Sequence, residues 1–205
     1  MLHLETVEPT TLGIIKKIQG FKEFTDLRLV GGTGLALHFG HRISVDIDLF
    51  GNISDDDLTI NKLLDKVGQT SIINQTKNIK IFQINGVKTN IVNYHYPWIK
   101  QPVISDGIKL ADIEDIAAMK LSAITGRGTK KDFIDLFFLL KKFTMKELLS
   151  LYLKKYNDGS EFLVIRSLTY FTDADKQEDC KMFVDVNWED VKSHITREVQ
   201  NYIKP

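Results

Sequence analysis

Two aspartates separated by a single residue, Asp46 and Asp48, have the spacing in this chain that most strongly indicates chemistry. They lie in the apolar run VDIDLF, which is typical of a β-strand, and side chains two apart on a strand point to the same face. Two neighbouring carboxylates repel each other unless a cation joins them. Mg²⁺ binds in proteins through a few carboxylates together with phosphate oxygens. The spacing predicts a metal site that also holds phosphate, although two surface acids on a strand edge would have the same pattern.

A glycine pair precedes these aspartates. Residues 27–30 have the pattern of a strand, and Gly31 and Gly32 then interrupt the chain before a short apolar helix at residues 35–39. Alone, the pair predicts a tight turn. Beside a metal site it would let the backbone approach a triphosphate, whose oxygens could accept hydrogen bonds from the helix N–H groups and the Thr33 hydroxyl. Arg42, in the basic turn that follows this helix, is a further candidate for nucleotide binding.

Two cations in the second half could also contact phosphate. Lys120 lies beside the apolar stripe of a helix predicted at residues 112–125, so it either extends its amine to solvent or pairs with a negative group. The functional alternative is a cation held over a phosphate. Arg127, two turns further on, could add to this contact or could cap the C-terminus of the helix.

Two aspartates three residues apart follow. Thr129 and Asp132 have the spacing of a capping box, which places Asp132 in the first turn of the next helix. Asp135 lies inside a strongly apolar run, where we expect it to orient Lys120 or Arg127 through a buried ion pair. The lysine pairs of the helical half are expected to be solvated, with contacts to RNA phosphates as the less favoured alternative, and they are Lys130/Lys131, Lys141/Lys142 and Lys154/Lys155.

The elements that position these residues change character along the chain. A first amphipathic helix is predicted at residues 10–24, a helix capped by Ser54 extends to residue 67, and β-forming residues 70–93 contain a hairpin turn at Asn85-Gly86. Helices dominate afterwards, at residues 112–125, 129–143, 144–156, 160–171 and 187–203. The pattern predicts an α+β fold with two domains, residues 1–105 and residues 106–205.

Composition narrows the possible functions. The 205 residues include 27 basic and 27 acidic side chains, so any nucleic-acid binding must come from a local patch. Cys180 is the only cysteine, which excludes an intramolecular disulfide and a cysteine metal cluster, and the histidines lack metal-ligand spacing. Apolar runs are too short for a membrane span, and the N-terminus lacks the pattern of a secretory signal. We therefore expect a cytoplasmic protein that does not enter membranes.

The chain resembles the AbiEii/AbiGii toxin family of nucleotidyltransferases, within the DNA polymerase β-like superfamily. The resemblance rests on GGTGLAL, HRISVDIDLF and DIEDIAAMKLSAITGRGTKKDFIDLFFLL, and it covers residues 27–140. It implies a polymerase β-like mixed sheet with flanking helices, followed by a C-terminal helical bundle. It also implies a triphosphate bound by Gly31, Gly32 and Thr33, Mg²⁺ (or Mn²⁺) held by Asp46 and Asp48, and catalytic roles for Lys120 and Asp132.

One departure from the superfamily pattern concerns a third metal-binding carboxylate, which is usual on a neighbouring strand. Asn90 stands at the corresponding position, and residues 66–105 contain no Asp or Glu that a shift of register could supply. Asn90 could offer a carbonyl oxygen to a metal but could not act as a base.

The resemblance implies a toxin of a toxin–antitoxin or abortive-infection module. Such a toxin would transfer a nucleoside monophosphate from an NTP to tRNA or to another RNA or protein acceptor, and a cognate antitoxin would be its partner. Because the third acid is absent, one alternative is a nucleotide-binding homologue with little or no activity that acts through a protein partner. A purely structural interaction protein is a third, weaker alternative.

Overall fold

The computed structural model describes residues 1–204, which form two compact units. The first unit contains Met1–His95 and Gln101–Ala111. The second contains Tyr96–Lys100 and the residues from 112 to 204. This division differs from the predicted domains, residues 1–105 and 106–205, because residues 101–111 form a hairpin that pairs with the sheet of the first unit.

A single mixed sheet organises the first unit. Its strands within residues 1–204 are β1 (Arg28–Leu29), β2 (Ile47–Gly51), β3 (Thr70–Gln75), β4 (Ile79–Ile84), β5 (Val87–Asn93), β6 (Val103–Ser105) and β7 (Ile108–Leu110). They lie in the order β3-β4-β5-β2-β1-β7-β6. The β2–β5 and β1–β7 pairs are parallel and the other pairs are antiparallel.

Two tight turns join antiparallel neighbours in this sheet. At the predicted turn between β4 and β5, Asn85 and Gly86 have φ angles of 49° and 83°, as a two-residue hairpin requires. The prediction is confirmed. Asp106 and Gly107 make a second turn of this kind between β6 and β7, with φ angles of 54° and 75°. This second hairpin was not predicted.

Three helices belong to the first unit: α1 (Pro9–Gln19), α2 (Gly31–Phe39) and α3 (Asp57–Asp65). Helix α1 is shorter than predicted because the chain turns at Gly20 and continues as a separate 3₁₀ turn. Helix α3 is capped by Asp56, whose carboxylate accepts a hydrogen bond from the Thr59 N–H at 2.8 Å. The predicted cap, Ser54, was therefore wrong by two residues.

Strand β2 alternates between the core and a more open face. Ile47 and Leu49 are fully buried, whereas Asp48 and Phe50 are half-buried. The buried side chains pack with α1 and the neighbouring strands, in a cluster that includes Ile15, Ile18, Phe24, Leu29, Phe82 and Ile91. The alternation therefore holds the Asp48 carboxylate away from the apolar core.

The second unit is helical, with α4 (Ile113–Gly126), α5 (Lys130–Leu140), α6 (Met145–Lys155), α7 (Glu161–Ser167) and α8 (Trp188–Ile203). The predicted capping box of Thr129 and Asp132 is present at the start of α5. The predicted α+β class, a mixed sheet with helices followed by a helical bundle, is confirmed. Among residues 1–204, none of the helices has the length and apolar character needed to span a membrane.

Candidate active site

The glycine pair forms the first turn of α2 rather than a separate turn before it. Gly31 is the first helical residue, with φ of +67°, and the Gly34 N–H makes a hydrogen bond to the Val30 carbonyl at 3.0 Å. The prediction that the helix begins at residue 35 was therefore wrong. The residue at the N-cap position, Val30, makes no side-chain capping hydrogen bond. Uncapped N–H groups at a helix N-terminus favour an anion.

Neither glycine leaves room for a side chain. A Cβ on Gly31 would overlap the carboxylate of Asp48 and would lie 3.0 Å from its Cγ. A Cβ on Gly32 would overlap the guanidinium of Arg42, whose Nη1 donates to the Ile43 carbonyl at 3.1 Å. The first turn of α2 is thus in contact with one carboxylate and one buried guanidinium.

Thr33 anchors α2 to the segment that leads into β2. Its hydroxyl contacts the Ser44 hydroxyl at 2.9 Å and donates to the backbone carbonyl of Asp46. Thr33 is buried, so its hydroxyl is turned into the protein. A phosphate at this position would be contacted by the backbone N–H of Thr33 rather than by its hydroxyl. Phosphate binding by Thr33 through that N–H stays a prediction.

Asp46 and Asp48 lie at the beginning of β2. Asp46 immediately precedes the strand, Asp48 lies inside it, and both are half-buried. Among residues 1–204, no three His, Cys, Asp or Glu side chains are grouped so that they could hold a metal ion by themselves. The two carboxylates supply only part of a coordination shell of the all-oxygen type that Mg²⁺ prefers, so further oxygens would have to come from a bound phosphate or water.

Asn90 lies directly opposite Asp48 on the neighbouring strand. The two residues are register partners in the parallel β2–β5 pair, and Asn90 Nδ2 donates to Asp48 Oδ1 at 2.8 Å. The position inferred from the sequence is therefore correct. Because the amide nitrogen is turned toward Asp48, Asn90 orients this carboxylate, and its predicted service as a metal ligand stays a prediction.

The predicted residues of the second unit form one cluster around Lys120. Its Nζ lies 3.0 Å from Asp132 Oδ1 and 2.6 Å from Asp135 Oδ2, and all three side chains are buried. The ion pair expected between Asp135 and Lys120 is confirmed, and the alternative that Lys120 extends its amine to solvent is wrong. The buried amine is held between two carboxylates.

Arg127 approaches the same cluster from the surface. Its side chain is 65% exposed, yet Nε lies 2.9 Å from Asp132 Oδ2 and Nη2 lies 3.1 Å from Oδ1. Thr129 also donates to Asp132 Oδ2, from its hydroxyl at 2.6 Å. Burial raises the pKa of Asp132, but the charge of Lys120 and the hydrogen bond from Arg127 outweigh burial and hold that pKa well below 3.8. The two cations and two carboxylates together carry no net charge.

Two lysines expected to be solvated are buried instead. Lys155 Nζ lies 2.7 Å from Asp115 Oδ1, and neither side chain is exposed. Asp115 also accepts hydrogen bonds from the N–H groups of Ile99 and Lys100, so this pair fixes the segment that begins the second unit. Lys130 is nearly buried and contacts Asp179 at 2.6 Å. The solvated assignment was wrong for Lys130 and Lys155.

Ser44 is the site residue that the sequence did not indicate. It is buried, and its hydroxyl meets Thr33 across eleven residues of chain. Its position two residues before Asp46 in the same extended segment is the one signal that could have pointed to it.

Comparison with known proteins decides the family. The family model described as "Nucleotidyl transferase AbiEii toxin, Type IV TA system" matches residues 18–110 and 99–202. The chain belongs to the AbiEii nucleotidyltransferase toxin family. A relative from Aquifex aeolicus (strain VF5), the uncharacterized protein aq_aa25, is 35% identical over an alignment of 196 residues that covers 93% of this chain and 94% of the relative.

Solved structures support the same fold for this AbiEii family member. A candidate nucleotidyltransferase from Helicobacter pylori has a TM-score of 0.65 and 18% identity, over 97% of this chain and 93% of that one. JHP933, also from Helicobacter pylori, has a TM-score of 0.62 and 19% identity, over 97% and 90%. MenT4, the nucleotidyltransferase toxin Rv2826c from Mycobacterium tuberculosis H37Rv, has a TM-score of 0.59 and 13% identity, over 92% and 81%. The predicted nucleotidyltransferase fold, a mixed sheet with flanking helices followed by a helical bundle, is confirmed.

Proposed function

We propose that this AbiEii family member transfers a nucleoside monophosphate from an NTP to an RNA acceptor, of which tRNA is the first to test, and that the reaction depends on Mg²⁺ or Mn²⁺. A protein acceptor would require the same chemistry at phosphorus. As a toxin, the protein would be controlled by a cognate antitoxin. Its family supports nucleotidyl transfer in general, and the geometry of Gly31 and Asp48 supports the particular site.

The observation that carries the proposal is the contact between Asp48 and the first turn of α2. A helix N-terminus attracts anions, but a carboxylate already lies against Gly31, and Asp46 is close to it in sequence. A triphosphate at the same place would be repelled by these carboxylates. A divalent cation joining the carboxylates to the phosphates would remove the repulsion. The donor set therefore suits a metal-bound triphosphate better than it suits phosphate or metal alone.

The residues of the first unit would then have separate roles. Asp46 and Asp48 would hold the metal ion, Asn90 would orient Asp48, and the N–H groups at Gly31 and Gly32 would bind phosphate oxygens. Arg42 would supply positive charge beside Gly32. When bound, the ion would neutralise charge on the phosphates during transfer.

The transfer itself is a substitution at the α-phosphorus. The acceptor hydroxyl oxygen forms a new bond to phosphorus, and the bond from phosphorus to the bridging oxygen of the β-phosphate breaks, with pyrophosphate leaving with the electron pair. The hydroxyl proton passes to water or to a substrate phosphate oxygen, because Asn90 cannot accept it. We propose that Lys120 and Asp132 are also required, as the family resemblance implies, and that Arg127 assists them.

A second function follows from Asn90. If the amide in place of an acid prevents turnover, the protein would bind Mg²⁺ and NTP without transferring a nucleotide and would act through a protein partner. A purely structural protein, in contrast, would bind neither. Titration with Mg²⁺ and each NTP, followed by incubation with total tRNA, separates these functions. Binding with transfer supports the main proposal, binding without transfer supports the second, and no binding contradicts both.

A further inference from the structure

A row of three exposed polar side chains crosses the outer strands of the sheet. Lys88 on β5 is the register partner of Gln83 on β4, and Gln83 is the partner of Ser71 on β3. All three side chains are exposed. On β5 the neighbours Thr89 and Ile91 are buried, so alternation places Lys88 on the same face as Asn90. We call Lys88, Gln83 and Ser71 the outer row.

The outer row begins beside the proposed metal site. The β2–β5 pairing matches Ile47 with Thr89 and Asp48 with Asn90. Asp46 immediately precedes β2, and extending the same register by one residue places it beside Lys88. Neighbouring strands are about 4.8 Å apart, so the row extends about 14 Å from Asp46 to Ser71. The row is therefore a continuation of the site and not a separate surface.

Charge along this part of the chain favours an anion. Residues 66–105 contain five lysines and no acidic residue. Lys80 is buried and paired with Asp57, but Lys88 is exposed, and among residues 1–204 no carboxylate lies within 4.0 Å of its amine. An exposed lysine that makes no ion pair is available to contact a phosphate.

A cleft of about 280 Å³, which we call the carboxamide cleft, lies at the far end of the row, and it is lined by Gln69, Thr70, Ser71, Gln83, Asn85 and Gly86. Apart from Gly86, the lining side chains are carboxamides and hydroxyls, which can donate to and accept from base edges and ribose hydroxyls. Part of the lining is already fixed, because Asn85 Oδ1 accepts a hydrogen bond from the Gln69 N–H at 2.8 Å. The cleft suits a nucleoside better than a second phosphate.

We propose that the outer row binds the acceptor, a single-stranded RNA end, with a backbone phosphate on Lys88 and a nucleoside at the carboxamide cleft. This proposal rests on the proposed function and specifies its acceptor. The sheet order supports it, because β2 has β5 on one side and β1, which leads into Gly31 and Gly32, on the other. Acceptor and triphosphate would thus approach the two aspartates from opposite sides. Substitution at phosphorus requires this arrangement, since the entering and leaving oxygens lie in line.

The test measures the affinity of a short fluorescein-labelled single-stranded RNA by anisotropy, without NTP. Lys88→Glu should weaken binding by about tenfold, and Lys88→Gln should lower the slope of log affinity against log salt by about 0.7, as expected for one lost phosphate contact. Lys77→Glu is the matched control. Lys77 is exposed in the turn at the other end of β4, about 20 Å from Gln83. The RNA affinity of the Lys77→Glu variant should therefore stay within about twofold of wild type.

A parallel titration with Mg²⁺ and NTP keeps the two proposals distinguishable. Lys88→Gln, which introduces no negative charge beside Asp46, should leave NTP affinity within about twofold of wild type, because Lys88 lies on the acceptor side. Wild-type protein that fails to bind the RNA, or equal losses for Lys88→Glu and Lys77→Glu, would overturn the outer row as an acceptor site, whatever the NTP result. RNA binding that depends on Lys88 in a protein that binds no NTP would uphold the row and contradict the proposed function.

Discussion

Asn90 donates a hydrogen bond from Nδ2 to Asp48 Oδ1 at 2.8 Å, and the two residues face each other across parallel strands. A neutral amide at this position stabilises the carboxylate without repelling it. An acid would have introduced a second negative charge beside Asp48 that only a cation could balance. The pairing therefore lets this sheet form without metal, and it leaves the site with two carboxylates.

Asn90→Asp should make the stability of the protein depend on divalent metal. In EDTA the new carboxylate faces Asp48 without a cation, so the melting temperature should fall below that of wild type. With Mg²⁺ present, the third carboxylate should strengthen ion binding and produce a larger rise in melting temperature than wild type shows. Thermal unfolding with and without Mg²⁺ measures both effects. Equal metal responses of the two proteins would contradict a metal site at Asp48.

Gly31→Ala should abolish nucleotide binding and destabilise the fold. The new Cβ would overlap the Asp48 carboxylate, and the φ angle of +67° is unfavourable for alanine. Gly13→Ala is the matched control, because Gly13 lies inside α1 with open space around its Cα. That control should stabilise the protein by about 0.5–1 kcal/mol. Denaturant unfolding and NTP titration of both variants test the contact, and an NTP affinity unchanged by Gly31→Ala would contradict it.

Lys120→Met should destabilise the helical unit strongly. The substitution leaves the carboxylates of Asp132 and Asp135 buried without the amine that lies between them, which costs about 3–5 kcal/mol when one partner of a buried ion pair is removed. Lys192→Met is the control, since Lys192 also contacts two acids, Asp175 and Glu189, but at the surface. Its effect should be much smaller. Similar losses of unfolding free energy for the two variants would show that burial does not set the strength of the Lys120 contacts.

Stability should fall on acidification partly through Asp132. Its pKa in the folded protein is well below the ordinary 3.8, so the unfolded chain takes up a proton on this side chain at a higher pH than the folded protein does. The stabilisation is therefore complete above pH 3.8 and is lost as the pH falls from there toward the folded pKa. Asp132→Asn removes this titration. Urea unfolding at a series of acidic pH values should show a steeper decline for wild type than for the variant, and parallel declines would contradict the assigned direction.

Residues close in sequence made much of the fold predictable. The helices of the second unit were found because their caps and apolar periodicity lie within each helix, as in the capping box of Thr129 and Asp132. The Asn85-Gly86 turn was equally local. Asn90 lies opposite Asp48 because its strand pairs with the strand of Asp48. The absence of acids in residues 66–105 showed from the sequence alone that no register of this segment could supply a third carboxylate.

Contacts between distant residues could not be predicted in the same way. Lys155 and Asp115 are 40 residues apart, so nothing within α6 distinguished a buried lysine from a solvated one. Whether the Thr33 hydroxyl faces solvent or forms hydrogen bonds inside the protein depends on where Ser44 and Asp46 lie. The fold determines those positions, and it brings both residues to the hydroxyl. The short strands β6 and β7 join the sheet beside β1, and residues 103–110 alone carry too few alternations to indicate this.

The most direct test of nucleotidyl transfer compares NTPs labelled at the α-phosphate and at the γ-phosphate. With Mg²⁺ and total tRNA, wild-type protein should transfer the α-label and not the γ-label to RNA. The double variant Asp46→Asn, Asp48→Asn keeps the shapes of both side chains and should reduce transfer of the α-label by at least about a hundredfold. Equal α-labelling by wild type and the double variant, or transfer of the γ-label, would contradict nucleotidyl transfer by Asp46 and Asp48.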